Sequence, residues 1–124
     1  MLQVHSAYKD QLETAIVADI TVPGAFDDAV KGVDGIIHMA SPYVIKVEDN
    51  ETDLILPALN GTKGILESAR KYGSKIRRIV ITSSFAAVAD FPRGLWPGHV
   101  YEESQWNPLT YEETKNDRRG LAYA

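Results

Sequence analysis

Three short apolar runs, rich in β-branched residues and each stopped by a small or polar side chain, set the frame for this chain. They are Thr14–Ile20, Val33–Ala40 and Lys75–Ser83. The first is apolar on both of its alternating faces, the pattern of a strand buried in a parallel sheet; the second reads as another buried strand, and the third as a strand with Ile79-Val80-Ile81 as its core. Helical patterns lie between them. Thr21 and Pro23 suit the N-cap and first turn of a helix running to Lys31, with Val22, Phe26, Ala29 and Val30 on its apolar face. Gly32 fits the left-handed position beyond its end.

A second, longer helix follows the second run. Asn50 is the expected cap, with Glu51 and Asp53 in a first turn favoured by the helix dipole. Ile55, Ala58, Leu59, Thr62, Ile65, Leu66 and Ala69 recur at three- and four-residue steps and form one face. Pro57 predicts a kink. Gly61 and Gly64 predict close packing on the sheet, since glycine otherwise weakens a helix. Gly73 ends it. Ser84 to Leu109 reads as a long irregular stretch marked by Pro92, Pro97 and Pro108, and Tyr111–Ala124 as a polar helix breaking near Gly120. Strands alternating with helices give the α/β class, a parallel sheet covered by helices.

Composition narrows the function. The chain has 124 residues, enough for one small domain, and 44% hydrophobic with 24% charged residues fits an ordinary globular protein. A net charge of −4 argues against a general affinity for nucleic acid or an anionic membrane. The cluster Arg70, Lys71, Lys75, Arg77 and Arg78 falls at a helix end and strand start, and reads as a solvated surface. There are no cysteines, and His5, His38 and His99 lack metal-ligand spacing, so no metal site is expected. Met1–Glu13 has no apolar signal core and no run reaches the ~20 residues that span a bilayer, which makes the cytoplasm the expected compartment.

In open parallel sheets, ligands bind outside the carboxyl ends of the strands. Here those ends read Ala18-Asp19-Ile20, His38-Met39-Ala40-Ser41-Pro42 and Thr82-Ser83-Ser84, with Tyr residues downstream. Together with Trp106-Asn107-Pro108 and Ala122-Tyr123-Ala124, and in this order, they resemble the extended short-chain dehydrogenases/reductases, most closely the dihydroflavonol reductases and the fungal aldehyde and ketone reductases related to them.

The resemblance implies a Rossmann-type doubly wound parallel sheet and an NADPH-dependent aldehyde or ketone reductase, with NADH as the other possible cofactor and a small carbonyl compound as substrate. It implies that Asp19 and the Ile20 backbone hold the adenine, and that Met39, Ala40 and Ser41 line the ribose and nicotinamide, where small residues let the backbone come close. It also implies that Ser84 hydrogen-bonds the substrate carbonyl and that Tyr123, which also touches the cofactor, protonates it. Each residue has a plainer reading. Asp19 could cap the next turn, Ser83 and Ser84 could tie off a strand, and Tyr123 could be a helix aromatic. His38 reads as a core histidine with its polar atoms satisfied. Loop aromatics Phe91, Trp96, Tyr101 and Trp106 could cover a substrate or pack on one another.

Tyr111-Glu112-Glu113-Thr114-Lys115 has the family's Tyr-three-Lys spacing and competes with Tyr123. The position of Tyr111 just after Trp106-Asn107-Pro108, and the two acids beside it, favour Tyr123. The family's Gly-rich phosphate turn has no counterpart in residues 1–124, so they are expected to be an incomplete NAD(P)-binding domain without the first βα unit or the C-terminal substrate region. Three strands without the central ones of a 3-2-1-4-5-6 sheet would leave the first run without neighbours. Two other functions remain open: a non-catalytic NAD(P)-binding or regulatory module, and a relative of nucleotide-sugar epimerases or hydroxysteroid dehydrogenases.

Overall fold

The computed structural model describes residues 5–42, 47–94 and 96–117. Its centre is a parallel pair, β1 (Gly35–His38) and β2 (Arg78–Ile81), in the register Gly35↔Arg78 to His38↔Ile81. Backbone bonds from Arg77 N to Asp34 O and from Thr82 N to His38 O, both 2.9 Å, carry the ladder one step past each end. Both strands are shorter than the apolar runs that contain them. They are joined by α1 (Leu56–Tyr72), the crossover that parallel strands require.

The helix buries Gly61, Gly64, Ile65, Ser68 and Ala69; of the face expected from its sequence only Ile65 and Ala69 are buried, while Leu59 and Leu66 are exposed, so the buried stripe is turned toward the small residues. Ile65 meets Phe26 and Val30 in the hydrophobic core, and Ile36 of β1 and Ile76 pack around them. The glycines serve a different neighbour from the one expected. A Cβ on Gly61 would come within 3.2 Å of the Ile20 side chain, and one on Gly64 would touch Phe26. They make room for the segment around residues 20–26 rather than for the sheet.

The start of α1 also departs from expectation. Asn50 is itself helical, at φ −62° and ψ −33°, and its side chain makes no bond to the start of its own helix. Asp49 does the work: its Oδ1 accepts from Thr52 N at 2.8 Å, while Asp53 Oδ2 reaches back to Glu48 N and Asp49 N. Pro57 produces no sharp break. The chain runs as a π-type turn over Glu51–Ile55 and enters the regular helix at Leu56, so the widened turn precedes the residue that lacks an N–H.

Two predicted elements do not form. Thr14–Ile20 makes no ladder: Ile16 is 96% exposed, while Val17 and Ile20 only rest against the core. A strand needs a neighbour to take its N–H and C=O groups, and no adjoining strand exists among the described residues. Residues 21–32 form successive turns instead of a helix. Gly24 sits at φ +78°, and Ala25 N donates to Val22 O at 3.1 Å, a type II turn with Pro23 and Gly24 in its central positions. The Pro-Gly pair announced that turn in the sequence. Gly32 does adopt the left-handed conformation, at φ +79°.

The sheet is buried on one face only. Ile37 of β1 and its register partner Val80 of β2 are 69% and 46% exposed, where burial on both faces was expected. Among the described residues no layer covers that side.

Candidate active site

Parallel register brings the carboxyl ends of β1 and β2 to the same edge. Met39, Ala40 and Ser41 leave β1 where Thr82, Ser83 and Ser84 leave β2, and all six are exposed. The structure thus brings together two of the three strand ends singled out by the sequence. Met39, 72% exposed, is an apolar side chain at a polar edge.

Ser84 sits in extended backbone and caps a short turn, Phe85–Ala87. Its Oγ accepts from Ala86 N at 3.2 Å and its carbonyl accepts from Ala87 N at 3.0 Å. The strand-end reading of Ser84 is thus realised. A hydroxyl that accepts an N–H keeps its own proton free to donate.

Asp19 Oδ1 accepts from Thr21 N at 2.8 Å and from Thr21 Oγ1 at 2.7 Å. Those bonds hold its carboxyl below the ordinary carboxylate range. The turn-capping reading of Asp19 is realised, and it engages one of the two carboxylate oxygens. Ile20 follows in the wall against Gly61.

The Tyr111–Lys115 pair has a partner that local spacing could not reveal. Both residues lie in α2 (Tyr111–Asn116), whose start is closed by a capping box between Thr110 and Glu113. The Tyr111 hydroxyl donates to Glu51 Oε1 at 2.6 Å, and Lys115 Nζ lies 2.6 Å from Glu51 Oε2. The bond to Glu51 raises the Tyr111 phenol above its ordinary range. Its proton is committed to a carboxylate. Beside it, Asn50 Nδ2 donates to Thr114 O at 3.1 Å and Asp117 O at 2.7 Å, satisfying the carbonyl end of α2. These contacts tie α2 to the start of α1. Tyr123 lies outside the described residues.

His38 is a core residue, 6% exposed and edge-on to Phe26 with ring centroids 5.8 Å apart. It is not fully satisfied: its buried Nε2 has no hydrogen-bond partner. The loop aromatics pack on one another. Arg93 lies over Trp96, Trp96 stacks on His99 at 3.7 Å, and His99 meets the edge of Tyr101, which meets Phe85. Trp106 stays exposed. No group of three or more His, Cys, Asp or Glu among the described residues could hold a metal ion, and no described helix is long and apolar enough to cross a membrane.

With this geometry in place, family membership is decided by likeness over nearly the whole chain. The profile of the 3-beta hydroxysteroid dehydrogenase/isomerase family matches residues 3–118, and the chain belongs to that family. Among relatives, it is 44% identical over 122 residues to an uncharacterized oxidoreductase of Schizosaccharomyces pombe, covering 98% of this chain and 36% of that protein. It is 39% identical over 107 residues to the NADPH-dependent methylglyoxal reductase GRE2 of Saccharomyces cerevisiae, covering 82% and 31%. Dihydroflavonol 4-reductase of Gerbera hybrida is 35% identical over 98 residues, 79% of this chain and 26% of that one.

The crystal structure of yeast methylglyoxal/isovaleraldehyde reductase Gre2 with NADPH superposes with a TM-score of 0.84 at 35% identity, over 98% of this chain and 37% of that one. The fold is therefore the expected Rossmann-type α/β arrangement, seen in part. The matched part of the chain spans between 26% and 37% of the length of these relatives.

Proposed function

We propose that residues 1–124 carry the strand-end portion of the active site of an NADPH-dependent carbonyl reductase, and that its substrates are small aldehydes or ketones of the methylglyoxal type. The supporting observation is the shared edge where Met39-Ala40-Ser41 and Thr82-Ser83-Ser84 emerge side by side, exposed and bearing small or hydroxyl side chains. Such an edge suits a flat cofactor ring beside a carbonyl group. In this reading the segment is an incomplete NAD(P)-binding domain. Asp19 and Ile20 hold the adenine, and Met39, Ala40, Ser41 and Tyr123 hold the ribose and nicotinamide.

When bound at this edge, NADPH would supply a hydride to the carbonyl carbon, with Met39, Ala40, Ser41 and Tyr123 holding its ribose and nicotinamide. Ser84 donates its hydroxyl proton to the carbonyl oxygen as a hydrogen bond, stabilising the charge that develops there. Tyr123 transfers its phenolic proton to that oxygen, giving the alcohol, and regains a proton from solvent.

The test is a chimera in which residues 1–124 replace the matching segment of the Saccharomyces cerevisiae methylglyoxal reductase. The chimera should oxidise NADPH when methylglyoxal is added. Ser84→Ala should lower its kcat about 10²-fold with little change in NADPH affinity. A chimera that binds NADPH but turns nothing over points instead to a non-catalytic nucleotide-binding module, and full activity in Ser84→Ala removes the role given to Ser84.

The chimera also exposes the pH limits of the α1–α2 clamp. Lys115 first, and then Tyr111, hold Glu51 below the ordinary carboxylate range. A depressed carboxyl contributes stability that is present above its unfolded value and lost as pH falls through the folded one. Tyr111 and Lys115 are both raised by Glu51, so their contribution is present below their ordinary values and lost above the raised ones. Amide-exchange protection across α2 is therefore expected to hold through neutral pH and to fall at both extremes. Glu51→Gln should remove the acid limb, and an unchanged profile would contradict the clamp.

A further inference from the structure

We propose that Asn107 is a positioning residue for Ser84, an inference that rests on the reductase reading above. The turn following Ser84 is fastened from 21 residues away in sequence. Asn107 Nδ2 donates to Ala86 O at 3.0 Å, and Asn107 N donates to Ala87 O at 2.8 Å. The same side chain accepts from Leu109 N through Oδ1 at 3.0 Å, which fixes the amide plane itself. Asn107 thus uses both ends of its amide and its own backbone N–H.

The side-chain bond acts on Ser84 through one peptide, and the backbone bond holds the next. The 86–87 peptide donates its N–H to Ser84 O at 3.0 Å, while its carbonyl receives the Asn107 amide. The peptide before it donates the Ala86 N–H to Ser84 Oγ at 3.2 Å. The carbonyl that Asn107 grips thus shares its peptide with the N–H that holds the Ser84 carbonyl, and the N–H on the Ser84 hydroxyl lies on the adjoining peptide, one Cα away. With Oγ accepting from Ala86, the Ser84 hydroxyl keeps its proton to donate, and Ser84 lies at the exposed edge where a carbonyl oxygen can receive it.

Only a side chain with a donor and an acceptor at this separation satisfies both Ala86 O and Leu109 N. Asp is close to isosteric, and it keeps the acceptor but offers Ala86 O no proton. Asn107→Asp is therefore a specific probe of the Ala86 bond.

Among the described residues one sheet face is bare, so the measurement belongs in the complete-length chimera. Asn107→Asp should lower kcat for methylglyoxal about tenfold. Its NADPH dissociation constant should stay at the parent value. In a Ser84→Ala background, the same change should produce no further loss, because the group it positions is gone. An Asn107→Asp effect of equal size with and without Ser84 would show that Asn107 acts elsewhere and overturn the proposal. So would full activity in Asn107→Asp, or loss of NADPH binding together with turnover. If Ser84→Ala alone is silent, the reductase assignment of Ser84 fails first, and the two failures are told apart.

Discussion

Tyr123→Phe in the chimera is expected to lower methylglyoxal turnover about 10³-fold, because a positioned proton donor contributes on that order, whereas Tyr111→Phe should leave turnover close to the parent value. The contrast is sharp because both residues are phenols and only Tyr111 stands four residues before a lysine in this chain. Motif spacing alone would choose Tyr111. Its geometry assigns it another task. The hydroxyl is 2.6 Å from Glu51 Oε1, and the lysine that would lower a catalytic phenol lies 2.6 Å from the other oxygen of the same carboxylate.

With Glu51 neutralising Lys115 and accepting from the phenol, Tyr111 is pushed up, the wrong direction for an acid working near neutral pH. Removing its hydroxyl leaves Glu51 paired with Lys115. The expected cost is a looser α2, read as a lower thermal midpoint at unchanged kcat. If Tyr111→Phe abolishes turnover and Tyr123→Phe does not, the roles are reversed and Tyr123 has no part in the chemistry.

What the sequence revealed, and what it hid, follows the range of the interactions. The helix α1 itself was legible from its period, but its buried face was not: Ile65 and Ala69 are buried as expected, whereas Gly61, Gly64 and Ser68 turn inward in place of Leu59 and Leu66, because small residues let the segment around Ile20 and Phe26 come close. The shared edge of β1 and β2 was legible because parallel strands with a helical crossover put their carboxyl ends together, wherever the side chains fall. Residues 21–32 were misread because their apolar spacing is helical, while Pro23-Gly24 imposes a left-handed turn that spacing does not register.

Asn50 was misread for a different reason. Its type suits an N-cap, but its amide donates to carbonyls of α2 more than 60 residues away. No local pattern encodes that contact, nor the bond from Asn107 to Ala86. Thr14–Ile20 shows the reverse limit. Its sequence is that of a strand, and the missing ingredient is a neighbour to pair with.

That missing ingredient has a measurable consequence for the 124-residue polypeptide by itself. Its accessible surface is 9694 Å². A compact monomer of this size exposes about 6,600 Å². Part of the excess is apolar: Ile16, Ile37 and Val80 stand open, and the sheet has two strands.

Full burial of one such side chain contributes about 1.5–3 kcal/mol, against a total stability of about 5–15 kcal/mol for a typical domain. Leaving a sheet face bare therefore removes a large share of what holds such a fold together, and the unpaired outer edges of β1 and β2 invite association.

On heating, the isolated polypeptide is expected to lose helical circular dichroism gradually, with no sharp calorimetric peak. It should bind a hydrophobic dye at room temperature, and NADPH should not move its melting. The same residues seated in the chimera should unfold in one sharp step at a midpoint raised by NADPH. The decisive outcome on the other side is a single steep transition of the 124 residues alone, shifted upward by NADPH. It would mean that the small core of Phe26, Val30 and Ile65 suffices without a second layer on the sheet.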